Sequence, residues 1–136
     1  MNSSIKNTFQ NDYSELYDVI YEKKDYEEEC NRVKKFFKYN NEINNILDLG
    51  CGTCNHSIIM SKCGYNILAI DQSLKMLEIA KKKIEINKIS NIKLLRKDIE
   101  KLDLENSFYD VILLLFNVAG YLKNFNNFLV NIKKYM

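Results

Sequence analysis

The sequence predicts an α/β domain: a parallel sheet flanked by helices on both sides. From Asn45 onward, short apolar runs alternate with segments of helical periodicity, the pattern of βαβ units. The last apolar run, "YDVILLLF", has almost no polar position, as expected of a strand covered on both faces. At 136 residues the chain is long enough for one domain with a real core.

The first dozen residues are polar and read as loosely ordered. From Asp12 to Asn40 the apolar positions Leu16, Val19, Ile20, Val33, Phe36 and Phe37 recur at helical spacing, which predicts two amphipathic helices. Asp25 is placed to cap the second, with Glu27 to Glu29 in its first turn, where the helix dipole favours acids. Asn40 to Asn45 is a polar break. "NILDLG" reads as the first strand, and Asn55 to Cys63 as a helix that Gly64 terminates. "YNILAID" is the second strand, followed by a helix over "LKMLEIAKKKIEIN" capped by Ser73. "NIKLLRKD" and "YDVILLLF" are strands three and four, and Asn124 to Tyr135 forms a closing helix.

Composition narrows the function. Twenty basic and eighteen acidic residues are interleaved for a net charge of +2, so no basic stripe points to nucleic acid. The start carries no signal peptide, and the longest apolar stretch, Val111 to Phe116, is far too short to span a bilayer. A cytoplasmic protein is expected, with no membrane partner and with Cys30, Cys51, Cys54 and Cys63 reduced.

Right-handed crossovers put the C-terminal ends of all parallel strands on one rim, where ligands bind. Gly50, Asp71, Asp98 and Phe116 fall at those four ends. In "LDLGCGTCNH", Gly50 and Gly52 permit a sharp strand-to-helix turn and a close backbone approach to a ligand. Asp71, twenty-one residues after Gly50, is placed to accept from ribose hydroxyls, and Asp98 from an exocyclic amine. A dinucleotide fingerprint would want its third glycine at Asn55. Asp48, two residues before the first glycine, would crowd a pyrophosphate and favour a cationic ligand.

Other chemistries fit less well. Cys51-Gly52-Thr53-Cys54 is a C-x-x-C at a position that lowers a thiol pKa, but the cis-proline that thioredoxin-like proteins set against it has no counterpart in a chain without proline. A zinc knuckle from Cys51, Cys54, His56 and Cys63 lacks a second C-x-x-C pair, so no metal is expected. His56, one turn into its helix, reads as a packing or surface residue.

"ILDLGCGTCNH" resembles motif I of the class I S-adenosylmethionine-dependent methyltransferases. "NILAIDQSLKMLEIAKKK" is similar to their second strand and helix, and "LLRKDIEKLDLENSFYDVILLLFNVAGYL" to the stretch that ends in their fourth strand. "YDVIYEKKDYEEE" resembles the cap helices of a subgroup that includes sugar N-methyltransferases. The resemblance covers nearly all of residues 13 to 136. It implies a Rossmann-like sheet of strand order 3-2-1-4, a helical cap over residues 1–40 and a cofactor-binding domain over 41–136 that is truncated before strands 5 to 7.

The resemblance also implies S-adenosyl-L-methionine as cofactor and methyl transfer to a small-molecule O or N acceptor, an amino sugar being one class. Gly50 and Gly52 would pass against the methionine portion, and Asp48 would face its ammonium, directly or through water. Asp71 would hold the ribose with Gln72 beside it, and Met76 is the usual helix methionine. Asp98 and Ile99 would frame the adenine, and Phe116 would lie near the sulfonium. Tyr21, and after it Tyr13 or Tyr17, would close over the cofactor. No residue stands out as a general base. Cys54 stands where the family has its third glycine, and strand four would form an apolar edge open to self-association. The rival reading is a non-catalytic, methyltransferase-like module serving as a partner subunit.

Overall fold

A computed structural model of the chain describes residues 13–39, 42–105, 107–115 and 118–136. Its centre is a four-stranded sheet of β1 (Asn45–Leu49), β2 (Asn66–Asp71), β3 (Ile92–Arg96) and β4 (Val111–Leu113). The order is β3-β2-β1-β4, and every pairing is parallel, with Asp48 opposite Ala69 on one side and Leu113 on the other. β1 lies in the middle of the sheet, and its last four residues are all buried.

Helices cover both faces. Residues 13–20 are helical (α1). They are followed by α2 (Tyr26–Phe37), α3 (Asn55–Lys62), α4 (Leu74–Ile86) and α5 (Phe125–Lys133). Ile46 of β1, Ala69 of β2 and Leu113 of β4 pack with Cys30 and Phe37 of α2, Ile58 and Met60 of α3, and Leu77 and Ala80 of α4. Leu47, Leu49 and Ile70 point the other way, into a cluster with Phe128 and Ile132 of α5, Leu104 and Tyr135. On that second face the connection from β3 to β4 opens with a 3-10 turn (Ile99–Lys101). The Tyr135 hydroxyl fixes this connection, donating to the Leu102 carbonyl and accepting from the Leu104 amide.

The capping signals act as the sequence predicts. Asp25 Oδ1 accepts from the Glu28 amide at 2.8 Å at the start of α2, and Ser73 Oγ from the Met76 amide at 3.3 Å at the start of α4. Gly64, at φ +97°, follows the end of α3. β4 is shorter than the apolar run suggested, because it pairs only with β1 residues Ile46 to Asp48. Both of its faces are nonetheless packed: Val111, Leu113 and Leu115 join the first cluster, and Ile112 and Leu114 join the second.

One expectation is corrected. α1 is a helix, but its apolar residues Leu16, Val19 and Ile20 are each more than half exposed. The side turned to the protein carries Ser14, Tyr17, Asp18 and Tyr21 instead. The surface it meets is polar, so apolar periodicity identified the helix and not its buried face. Among the described residues no helix is long and apolar enough to cross a membrane.

Candidate functional site

The rim of the sheet is shaped first by backbone. At the end of β1 the amides of Gly50 and Cys51 both donate to the Ile70 carbonyl, at 2.8 and 3.0 Å, which bends the chain toward β2. Gly50, Gly52 and Cys54 all take left-handed conformations, at φ +73°, +56° and +67°. The two glycines are needed for different reasons. A Cβ on Gly50 would stand 2.6 Å from a Val118 methyl, so residue 50 has no room for a side chain. A Cβ on Gly52 would meet nothing within 4 Å, so there only the φ angle and an open approach matter. Cys54 begins α3 without a capping bond, and its side chain is fully buried.

The Asp71 carboxylate fixes this turn to β2. Its Oδ2 accepts from the Gly52 amide at 2.9 Å and its Oδ1 from the Ser73 amide at 2.8 Å. A carboxylate has about four acceptor positions, so these two bonds leave capacity for a ligand. Asp98 is similar: Oδ1 accepts from the Glu100 amide at 2.9 Å and caps the 3-10 turn.

Between these groups and α1 lies a cavity of about 490 Å³. Gly50, Gly52, Asp71, Gln72 and Met76 form its floor and one side, and Asp98 and Ile99 the far end. Tyr13, Tyr17 and Tyr21 form the roof, spaced four residues apart on one face of the cap segment. Tyr17 is the centre of this ladder, with ring centroids 5.7 Å from Tyr13 and 4.9 Å from Tyr21. Burial first, and the neighbouring Tyr26 next, push the Tyr17 phenol well above its ordinary value, so it stays protonated.

Ten of the twelve residues singled out from the sequence therefore line one cavity: Tyr13, Tyr17 and Tyr21, with Gly50, Gly52, Asp71, Gln72, Met76, Asp98 and Ile99. Phe116 lies outside the described residues. The structure corrects the place of Asp48. It does not line the cavity; it is buried beneath the turn, where its Oδ2 accepts from Ser57 Oγ of α3 at 2.6 Å. Burial raises its carboxyl pKa despite the Ser57 bond.

Cys51, Cys54 and His56 are packed in the interior. Cys51 and Cys54 are free and buried, and the Cys51 thiol is pushed well above its ordinary value, first by its bond with Cys54 and then by burial. A thiol so held is not the thiolate that redox chemistry needs. His56 Nε2 lies 2.6 Å from Glu29 Oε2, and its ring packs edge-on to Tyr26. Among the described residues no group of three or more His, Cys, Asp or Glu side chains could hold a metal ion.

Sequence reasoning missed several residues. Lys97, Glu100, Val118, Leu122 and Lys123 also line the cavity. They belong to connections after β3 and β4, where no periodic pattern marks them; all but Lys123 fall within the quoted stretch from Leu94 to Leu122, in which only Asp98, Ile99 and Phe116 are given a role. Also missed was a polar group beneath the cap. Asp18 Oδ1 accepts from Thr53 Oγ1 at 2.7 Å and Asn55 Nδ2 at 3.0 Å, and its Oδ2 accepts from Lys83 Nζ at 3.1 Å. Burial alone would raise the Asp18 carboxyl, but these donors outweigh it and hold it below its ordinary value.

A sheet of this order, with a glycine turn and acids at the ends of its next two strands, defines a nucleoside-binding α/β protein. The family model described as "Methyltransferase domain" matches residues 46–136, and the chain belongs to that family. A comparison with the curated proteins returns no match.

Solved structures agree on the fold. An S-adenosylmethionine-dependent methyltransferase from Clostridium acetobutylicum ATCC 824 is 25% identical, with a TM-score of 0.70 over 91% of this chain and 49% of its own. DesVI of Streptomyces venezuelae is 21% identical, with a TM-score of 0.78 over 91% of this chain and 52% of its own. CalS10, an amino pentose methyltransferase from Micromonospora echinaspora solved with S-adenosylmethionine bound, is 15% identical, with a TM-score of 0.73 over 100% of this chain and 52% of its own. The chain thus spans about half the length of each of these proteins.

Proposed function

We propose that the chain binds S-adenosyl-L-methionine in the rim cavity and serves a methyltransferase that acts on a small-molecule O or N acceptor. The observation that carries this reading is the cavity itself: left-handed Gly50 and Gly52 on its floor, Asp71 and Asp98 at two successive strand ends, and three tyrosines above. That donor and acceptor set suits a nucleoside joined to a cationic amino acid. Residues 1–40 act as a cap and 41–136 as the binding domain, and the four free cysteines fit a cytoplasmic setting.

Asp71 has acceptor positions left for ribose hydroxyls, and Asp98 Oδ2 for the adenine amine. Met76 and Ile99 supply apolar contact to the flat base, and Gly52 lets the backbone come close. The bound group supplies an electrophilic methyl on a sulfonium. The chain's own part is to hold that group still and keep water from it, and positioning of this kind can account for much of a transfer rate. Tyr17, kept protonated by burial, offers an aromatic wall and is not a base.

The test is titration calorimetry with S-adenosylhomocysteine. The reading expects saturable one-to-one binding, weakened about tenfold or more in Asp71→Asn, the scale of a hydrogen bond to a charged group. No binding by the wild-type chain would overturn it.

A further inference from the structure

The roof and floor of the cavity belong to different parts of the chain, and one group of side chains joins them. Asp18 sits on α1 between the roof residues Tyr17 and Tyr21. Thr53 lies within the glycine turn, next to the floor residue Gly52, and Asn55 is the first residue of α3. Lys83 comes from α4, the helix that follows Asp71. One carboxylate accepts from all three. Lys83 Nζ also donates to Thr53 Oγ1 at 3.2 Å and to Asn55 Oδ1, so the four side chains form one connected unit.

α1 docks through polar and aromatic side chains, with Ser14 buried and the tyrosine rings packed in series. Its apolar residues Leu16, Val19 and Ile20 face solvent, so the usual driving force for docking a helix is largely absent. Its ion pair with the body of the domain at Asp18 and Lys83 is about two-thirds buried or more, while the other, Glu15 with Lys75, spans 3.6 Å at the surface. An exposed pair of that kind contributes little. Charge-assisted bonds to a shielded carboxylate are stronger and more directional.

From this placement we infer that Asp18 is a positioning residue: through Thr53, Asn55 and Lys83 it latches the tyrosine-bearing cap helix onto the glycine turn, and release of the latch opens the cavity to its ligand. The inference rests on the cofactor-binding reading above and adds to it the part of the chain that gates the site. Closing the latch sets Tyr17 and Tyr21 over Gly52; opening it swings the roof away without disturbing the sheet, because none of the four side chains belongs to a strand.

The test combines amide hydrogen exchange with S-adenosylhomocysteine titration on the 136-residue chain. In the wild type, amides of residues 13–21 are protected and slow further when the ligand saturates. In Asp18→Asn these amides exchange several-fold faster, the ligand binds about tenfold more weakly, and exchange in β1 and β2 stays at wild-type values. Lys83→Met, which acts from the other end of the latch, has the same effects. Lys83→Arg, which keeps the cation, restores both protection and affinity. Wild-type exchange over residues 13–21 in both Asp18→Asn and Lys83→Met overturns the latch, and wild-type affinity in both overturns the gate. Failure of the wild-type chain to bind the ligand would instead remove the functional reading, while exchange in the unliganded chain would still decide whether the latch exists.

Discussion

The glycine turn and the cap helix face each other across one cavity, and they are held by opposite means. The turn is fixed by main chain: two amides on the Ile70 carbonyl, a third on Asp71, and buried strands behind. The cap helix is held by side chains, several of which converge on one carboxylate, with its own apolar residues turned to solvent. The contrast separates a rigid wall from a movable one. Substitutions in the turn should change global stability, and substitutions in the latch should change local opening and ligand affinity.

The largest effect is expected at Gly50. An alanine there takes on the left-handed cost and pushes its Cβ into Val118, so Gly50→Ala should lose about 3 kcal/mol in thermal or denaturant unfolding. Gly52→Ala isolates the backbone component. With open space around the new methyl, it should lose only about 1 kcal/mol. Equal losses at the two glycines would mean that the Val118 contact is unimportant.

Acid should find the cap before it finds the turn. The Asp18 carboxyl is held below its ordinary value of 3.8, so its contribution is complete above that pH and is lost as pH falls through the lower folded-state value. Hydrogen exchange measured from pH 6 down to pH 2 should show residues 13–21 losing protection, with the loss confined to below pH 3.8, while β1 keeps it. Loss of both together would contradict the division.

The smallest effect is expected at Cys54. Changing it to glycine relieves about 1 kcal/mol of left-handed strain but removes a fully buried side chain worth a similar amount, so Cys54→Gly should shift stability by less than about 0.5 kcal/mol. Cys54→Val, branched at Cβ in the same conformation, should be clearly destabilising.

Much of the rim was legible in the sequence because its determinants are local. Two glycines where a strand must turn, Asp71 ending the next strand and Asp98 ending the one after are all consequences of chain order in a parallel sheet. Cys54 could be read as a substituted glycine only through the family resemblance, and its φ of +67° shows why that position favours one. Asp48 was not legible in this way. As an acid beside the turn it looked placed to face a cationic ligand, yet side chains alternate along a strand, and its register sends it beneath the turn to Ser57. α1 was misread because its helical period is carried by residues that face water. Its functional side holds a serine, an aspartate and tyrosines, and the aspartate's partners Thr53, Asn55 and Lys83 lie 35 to 65 residues away.

The most direct test of the account is a crystal structure of the chain with S-adenosylhomocysteine. The account predicts the ligand in the rim cavity, with ribose hydroxyls on Asp71, the adenine amine at Asp98 and the amino acid portion against Gly50 and Gly52 beneath Tyr17 and Tyr21. A ligand bound elsewhere, or one in the cavity whose ribose makes no contact with Asp71, would contradict it.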